Sequence, residues 1–320
     1  MMKNGLRTML MVAGMGVAAP LFGLTLNSST DIVVEREVVL DETGDIATLM
    51  ETGTVVPNPG DWAGKWNLVL MSSAEDDSGS GASNGTGASS LSFTVAKKSA
   101  AVTVSGTMVN GTKVSVKTTM YAAGEGVAAI PFVFKQGTSG GFSFIINIDI
   151  EGGLDLSSVS DWNATGVKHP FYATFSSYAG GRIGQSGDDE GGDRMFSFDS
   201  LDLEFFPGGY EWLSDVSPDG VGVTCTAKKW KAEKAGKVKC SKKTGDYEAS
   251  DVNPAALKLS YSKKKGTFSG SFVLYGILET NKGTYKFKKF KATVKGSVVG
   301  GVGYGTATIK NVGSFPVSVE

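Results

Sequence analysis

The sequence predicts an all-β, antiparallel protein built as two barrel-like or sandwich-like units with a weak internal duplication. Three observations carry the prediction. Apolar residues recur at every second position, turn-forming pairs interrupt them at short intervals, and 44 of the 320 residues are glycine, about twice the usual share. Period-two alternation places successive side chains on opposite faces of a strand, and no segment carries a sustained 3.6-residue apolar stripe. Hydrophobic residues at 41% and charged residues at 20% suit a folded chain and exclude a disordered one. The length accommodates one large or two ordinary domains.

At the amino terminus, Lys3 and Arg7 precede an apolar run over residues 8–23 that contains Ala18 and Ala19, the pattern of an export signal. Residues 1–23 are assigned to it, with cleavage expected near residues 23–26. A spanning helix needs about 20 apolar residues, and Pro20 breaks this run before the polar Asn27, Ser28 and Ser29. No transmembrane span is therefore expected after cleavage, an uncleaved anchor being the competing reading. Residues 24–57 read as an amino-terminal strand and linker. Within them DIVVEREVVL, residues 31–40, is strand-like and available either to its own domain or to a neighbouring copy.

The first β unit is assigned to residues 58–166. Leu91, Phe93 and Val95, then Val102 and Val104, then Phe142, Phe144 and Ile146 alternate as strand faces. Asn110-Gly111 marks a hairpin between Val104 and Val114. Residues 78–90 and 186–193 read as loops, and residues 167–221 as a connecting segment. The second unit, residues 222–320, alternates at Leu257, Leu259 and Tyr261, with a hairpin expected at Lys265-Gly266 before Phe268. Setting SLSFTVAKKSAAVTVSG (90–106) beside ALKLSYSKKKGTFSG (256–270) gives the duplication: an alternating strand, a lysine pair, and a second strand ending in Ser-Gly.

Charge is divided between the units. Residues 1–220 carry 12 Lys/Arg against 26 Asp/Glu, a net of −14, and residues 221–320 carry 19 against 6, a net of +13. One reading is that the basic unit docks on anionic material by salt-sensitive attraction. The other is that strand lysines keep sheets soluble and the acidic half neutralises them. Arginine is absent from residues 221–320, so specific nucleic-acid readout is not expected.

The search for chemistry ends in missing partners. Ser139 lies in a glycine turn, but His169 is the only histidine and follows it, the reverse of the order a chymotrypsin-type triad needs. Asp188, Asp189 and Asp193 are candidate metal ligands without a calcium-loop spacing, and no cofactor is implied. Cys225 and Cys240, the two cysteines of an exported chain, are candidates for a disulfide, with unlinked thiols as the alternative. Trp230, Lys286, Lys288, Lys289 and Tyr304 are the candidate ligand-binding residues, since aromatic faces stack on sugar rings and lysines attract anions; the competing reading is that the tryptophans fill the core, and a structural place is expected for at least Trp66 and Trp230.

Together Trp230-Lys231, Lys234 to Val238, Asn253-Pro254-Ala255, residues 257–275 and the terminal GVGYGTATIKNVGSFPVSVE resemble the carboxy-terminal β-rich module of large exported bacterial proteins, which often follows arrays of extracellular repeats. The likeness spans the last 100 residues or so and extends more loosely to residues 62–149. It implies an extracellular or cell-surface location and a β architecture, and neither an enzymatic activity nor a ligand. The function expected from the sequence is a non-catalytic surface or matrix module that binds envelope or extracellular polymers, anionic polysaccharide among them. The alternatives are a secreted carbohydrate-active enzyme with a carboxylate pair about 5 to 10 Å apart, and a self-assembling protein joined through residues 31–40.

Overall fold

The computed structural model describes residues 36–37, 45–72, 87–108, 112–136, 140–162, 175–184, 191–200 and 203–320. Of the described residues 62% are strand and 6% helix, and the strands pair antiparallel. The first strands are β1 (Arg36–Glu37), β2 (Gly64–Ser72), β3 (Gly87–Val95), β4 (Ala101–Thr107) and β5 (Lys113–Thr119). After them come β6 (Tyr121–Gly124), β7 (Val127–Gln136), β8 (Gly140–Asp149), β9 (Leu154–Trp162) and β10 (Phe175–Arg182). The later part holds β11 (Gly192–Phe198), β12 (Phe205–Phe206), β13 (Tyr210–Trp212), β14 (Val221–Cys225), β15 (Trp230–Ala232), β16 (Val238–Cys240) and β17 (Tyr247–Ala249). It closes with β18 (Lys258–Ser262), β19 (Thr267–Glu279), β20 (Tyr285–Val299), β21 (Val302–Ile309) and β22 (Gly313–Val319).

The first unit packs a six-stranded sheet, in the order β1-β10-β2-β3-β4-β5, against a four-stranded sheet, β6-β7-β8-β9. Alternation decides what fills the space between them. Trp66, Leu68 and Leu70 of β2 share a face with Leu91 and Phe93 of β3, and meet Ile130, Phe132, Phe142 and Phe144 of the smaller sheet in one core. The other face of β2 is buried too. Val69 joins Ala88 and Ala179 against Val299, Val302 and Tyr304 of the second unit, which explains the nearly continuous apolar run of β2. This junction is also hydrogen-bonded: Asn67 Nδ2 donates to Gly266 O at 2.7 Å, and Thr306 Oγ1 accepts from Ala88 N at 2.9 Å.

In the second unit the strands run β18-β19-β20-β21-β22-β11-β14-β15, all hydrogen-bonded neighbours. The sheet curls until β15 lies beside β18, where Trp230 stacks on Tyr261 with ring centroids 5.1 Å apart. Inside sit Phe196, Phe198, Phe272, Leu274, Ala292, Val294 and Ile309. Beyond the end of β18, β13 pairs with β19 at Ile277 and Gly276, and β12 continues that edge. The hairpin β16–β17 is a separate two-stranded sheet lying on the outside of β19–β20, over Tyr275 with Leu213, Val216, Val273 and Phe287.

The strands flanking both expected turns pair, as β4–β5 and β18–β19; Asn110-Gly111 itself lies outside the described residues, and the second hairpin turns through Gly266 at φ +57°. The two duplicated segments are both hairpins, and each sets its final glycine opposite a leucine: Gly106 opposite Leu91 and Gly270 opposite Leu259. A Cβ at either glycine would come within 2.9 Å of that leucine's side chain, so the shared Ser-Gly ending reflects one close approach. Two expectations are corrected. Residues 167–221 do not merely connect: β10 belongs to the first unit's larger sheet and β11 to the second unit's. The signal in β10 is hidden by Gly180, whose small size admits Leu154 onto it. Residues 24–57 contain an eight-residue helix, Asp45–Thr52, as well as β1, which pairs with the chain's own β10 through Arg36 to Tyr178 and Glu37 to Ser177.

Candidate binding surface

The sequence YKFKKFKATVK opens β20, and pleating sorts its residues. Phe290, Ala292 and Val294 point into the core, whereas Lys289, Lys291 and Lys295 alternate with them and are exposed. Lys288 shares the parity of Phe290 but lies nearer the strand end, where it too is exposed. Its Nζ sits 5.0 Å from the Phe290 ring and 5.4 Å from that of Tyr210, with Phe206 stacked below Phe290 at 3.9 Å. Gly276 faces Lys288 across the pairing, and a Cβ there would come within 2.8 Å of Tyr210. Lys289 Nζ on the outer face lies 5.2 Å from the ring of buried Tyr275. Aromatic faces thus support both ammonium groups while leaving their charge to solvent. Among the described residues Lys286, Lys288 and Lys289 have no ion-pair partner; Lys239 pairs with Glu248 at 3.2 Å.

The small hairpin completes this surface. Tyr247 donates its hydroxyl to Asp215 at 2.8 Å, and burial together with that carboxylate raises the Tyr247 pKa. Tyr285 N donates to Lys242 O at 2.8 Å, which ties the β16–β17 turn to the first residue of β20. Lys242, Lys243 and Lys282 therefore join the expected Lys286 and Lys288 at one end of the unit. Their sequence signal was the lysine-rich turn itself; their proximity follows from the tertiary bond.

The other candidates fall elsewhere. Trp230 is 3% exposed, packed between Tyr261 and Phe268, and Tyr304 is 5% exposed in the junction between units. Neither offers a ring face to a ligand: both are corrected from candidate ligand-binding residues to core residues, Trp230 in line with its competing reading as a structural residue. Trp66 is likewise buried, and Trp62 donates its indole N–H to Gly126 O at 3.2 Å. Asp193 is exposed on β11 and accepts from Thr224 Oγ1 at 3.0 Å. Asp188, Asp189, Ser139 and His169 lie outside the described residues. Among the described residues no group of three or more His, Cys, Asp or Glu is arranged to hold a metal ion.

The expected Cys225–Cys240 disulfide does not form: both cysteines are free. The chain between them does not make one hairpin. Cys225 faces Trp230 within β14–β15 and belongs to the main core, while Cys240 faces Tyr247 in the outer hairpin. Burial pushes the Cys225 thiol up from 9.0 to about 11, with Arg194 opposing and Asp193 reinforcing, and burial also raises Cys240 against the pull of Lys289. Below pH 9 Cys225 is protonated in both folded and unfolded chains. As pH rises through 9 to 11 the unfolded chain ionises first, so stability falls across that window. Native labelling by iodoacetamide at pH 8 is expected to modify Cys240 before Cys225, and reductant should leave the melting temperature unchanged. A Cys225→Ala variant should show a smaller alkaline decline between pH 9 and 11 than its parent, the part that remains coming from Cys240 and Tyr247, whose pKa values are raised as well.

No protein family, curated protein or solved structure matches this chain. No helix among the described residues is long and apolar enough to cross a membrane.

Proposed function

We propose that this is an exported, non-catalytic module of the cell surface or extracellular matrix that binds anionic polymers through its lysine-rich second unit. The amino-terminal pattern supports export. The distribution of charge in three dimensions supports binding. β19 begins beside the junction, where Gly266 O accepts from Asn67 Nδ2 and from Val298 N, and runs to Glu279 at the far end. At 3.3 Å per residue those 13 residues cover roughly 40 Å. Screening in physiological salt acts over about 8 Å, so the carboxylates of the first unit leave the distal lysines unneutralised; the acidic groups of the second unit that lie nearer are Glu211 of β13, opposite Ile277, and Asp215, which accepts the Tyr247 hydroxyl. That separation favours attraction of an external polyanion over internal compensation.

The expected result is retention of the protein on an immobilised anionic polysaccharide at low salt, with progressive release as salt rises. Retention that does not change with ionic strength, or equal retention on a neutral polysaccharide, would remove the electrostatic basis of the proposal.

A further inference from the structure

The distal end of the second unit is built from two turns far apart in sequence. Residues 241–246 are closed by Ser241 N to Asp246 O at 2.8 Å and Gly245 N to Ser241 O at 2.9 Å. Residues 280–284 are closed by Thr280 N to Thr284 O at 2.8 Å. The bond from Tyr285 N to Lys242 O fixes them side by side, and the Tyr285 ring lies so close to Gly245 that a Cβ there would be 3.0 Å from it. Between them the turns expose Lys242, Lys243, Lys282 and, at the start of β20, Lys286. Lys288 and Lys289 follow on opposite faces of the strand, each over an aromatic ring. Segments 241–246 and 279–289 together hold six lysines against Asp246 and Glu279, with Asp215 beside them already accepting from the Tyr247 hydroxyl.

We propose that this paired-turn pole is the polymer contact, and that it reads the density of negative charge along an anionic polysaccharide rather than the identity of its sugars. The inference rests on the function proposed above and assigns it a place and a mode. Every cation here is a lysine, a point charge on a flexible stem, without the planar fork by which arginine recognises one oxyanion geometry. The turn hydroxyls are bonded to one another, Thr244 Oγ1 to Ser241 Oγ at 2.7 Å and Thr280 Oγ1 with Thr284 Oγ1 at 2.8 Å. They therefore stiffen the platform and present no fixed array for sugar hydroxyls. Several mobile charges on a rigid base favour many spaced anions on one chain over a single anionic sugar. The other lysine run, residues 263–265, lies at the junction end, where Lys264 O accepts from Lys65 Nζ at 3.3 Å.

The test measures affinity of the full chain for dextran sulfate, polygalacturonate, neutral dextran and duplex DNA. Dextran sulfate should bind tightest, polygalacturonate more weakly, and neutral dextran not at all. The K242Q/K243Q/K282Q/K286Q variant should lose roughly 10-fold or more in affinity for dextran sulfate, and K263Q/K264Q/K265Q/K295Q less than about 2-fold. Equal losses from the two variants, or an unchanged pole variant, would overturn the assignment while leaving the broader function standing. Absence of binding to both anionic polysaccharides would overturn both, and tighter binding to DNA than to dextran sulfate would overturn the choice of polysaccharide. Should the pole variant fail to fold, acetylation of the unaltered protein gives the same answer. Bound dextran sulfate should protect Lys242, Lys243, Lys282 and Lys286 and not Lys263, Lys264 and Lys265; the reverse pattern counts against the pole.

Discussion

Replacing Trp230 by alanine is expected to destabilise the second unit by about 3 to 5 kcal/mol, the usual cost of truncating a buried tryptophan. The position warrants the upper part of that range. β15 and β18 are the two edges that come together when the sheet curls, and Trp230 fills that seam between Tyr261 at 5.1 Å and Phe268 at 5.4 Å. Its ring also lies over Gly303 of β21, where a Cβ would come within 2.8 Å of it. Alanine would leave a cavity bordered by four strands and open the seam to water. The midpoint of urea denaturation should fall sharply for Trp230→Ala and much less for Trp230→Phe, which keeps a ring. A shift below about 1 kcal/mol for alanine would show that the seam contributes little.

Asn253→Ala is expected to cost roughly 3 kcal/mol or more, by a different mechanism. Asn253 is 1% exposed, and its side chain makes three hydrogen bonds: Nδ2 donates to Glu233 O at 2.7 Å and to Leu257 O at 3.1 Å, and Oδ1 accepts from Leu257 N at 2.6 Å. Its carbonyl accepts from Gly236 N at 3.0 Å, so this one residue holds the entry of the β16–β17 hairpin against the segment leading into β18. Alanine removes all three side-chain bonds. It must also adopt φ +45°, a left-handed conformation that asparagine tolerates better than most residues. Asn253→Gly loses the same bonds without that strain and should be less damaging by about 1 kcal/mol. Equal losses for the two variants would show that backbone conformation plays no part.

Much of the fold was legible because pleating converts sequence parity directly into facing. Leu91, Phe93 and Val95, or Phe142, Phe144 and Ile146, could be assigned to one side of a strand from spacing alone, and all are buried. The pairings of β4 with β5 and of β18 with β19 were legible from Asn110-Gly111 and Lys265-Gly266 because turn chemistry is local. β10 was not, since its Gly180 answers to a leucine, Leu154, on another strand. The candidate surface was half legible. Lys286, Lys288 and Lys289 stood out as charge, but Trp230 and Tyr304 read the same whether a ring faces solvent or core. The disulfide failed for a related reason, because a spacing of 15 residues does not say which strand each cysteine pairs with.

By itself the sequence determined the secondary structure class, the parity of its strands and the segregation of charge, because each is a property of neighbours along the chain. Only the tertiary structure decided which aromatic residues are buried, that the cysteines lie apart, and that two lysine turns meet at the end of the second unit remote from its junction with the first. Those outcomes depend on which strands pair and how far the sheet curls, and that is set by packing between residues many positions apart.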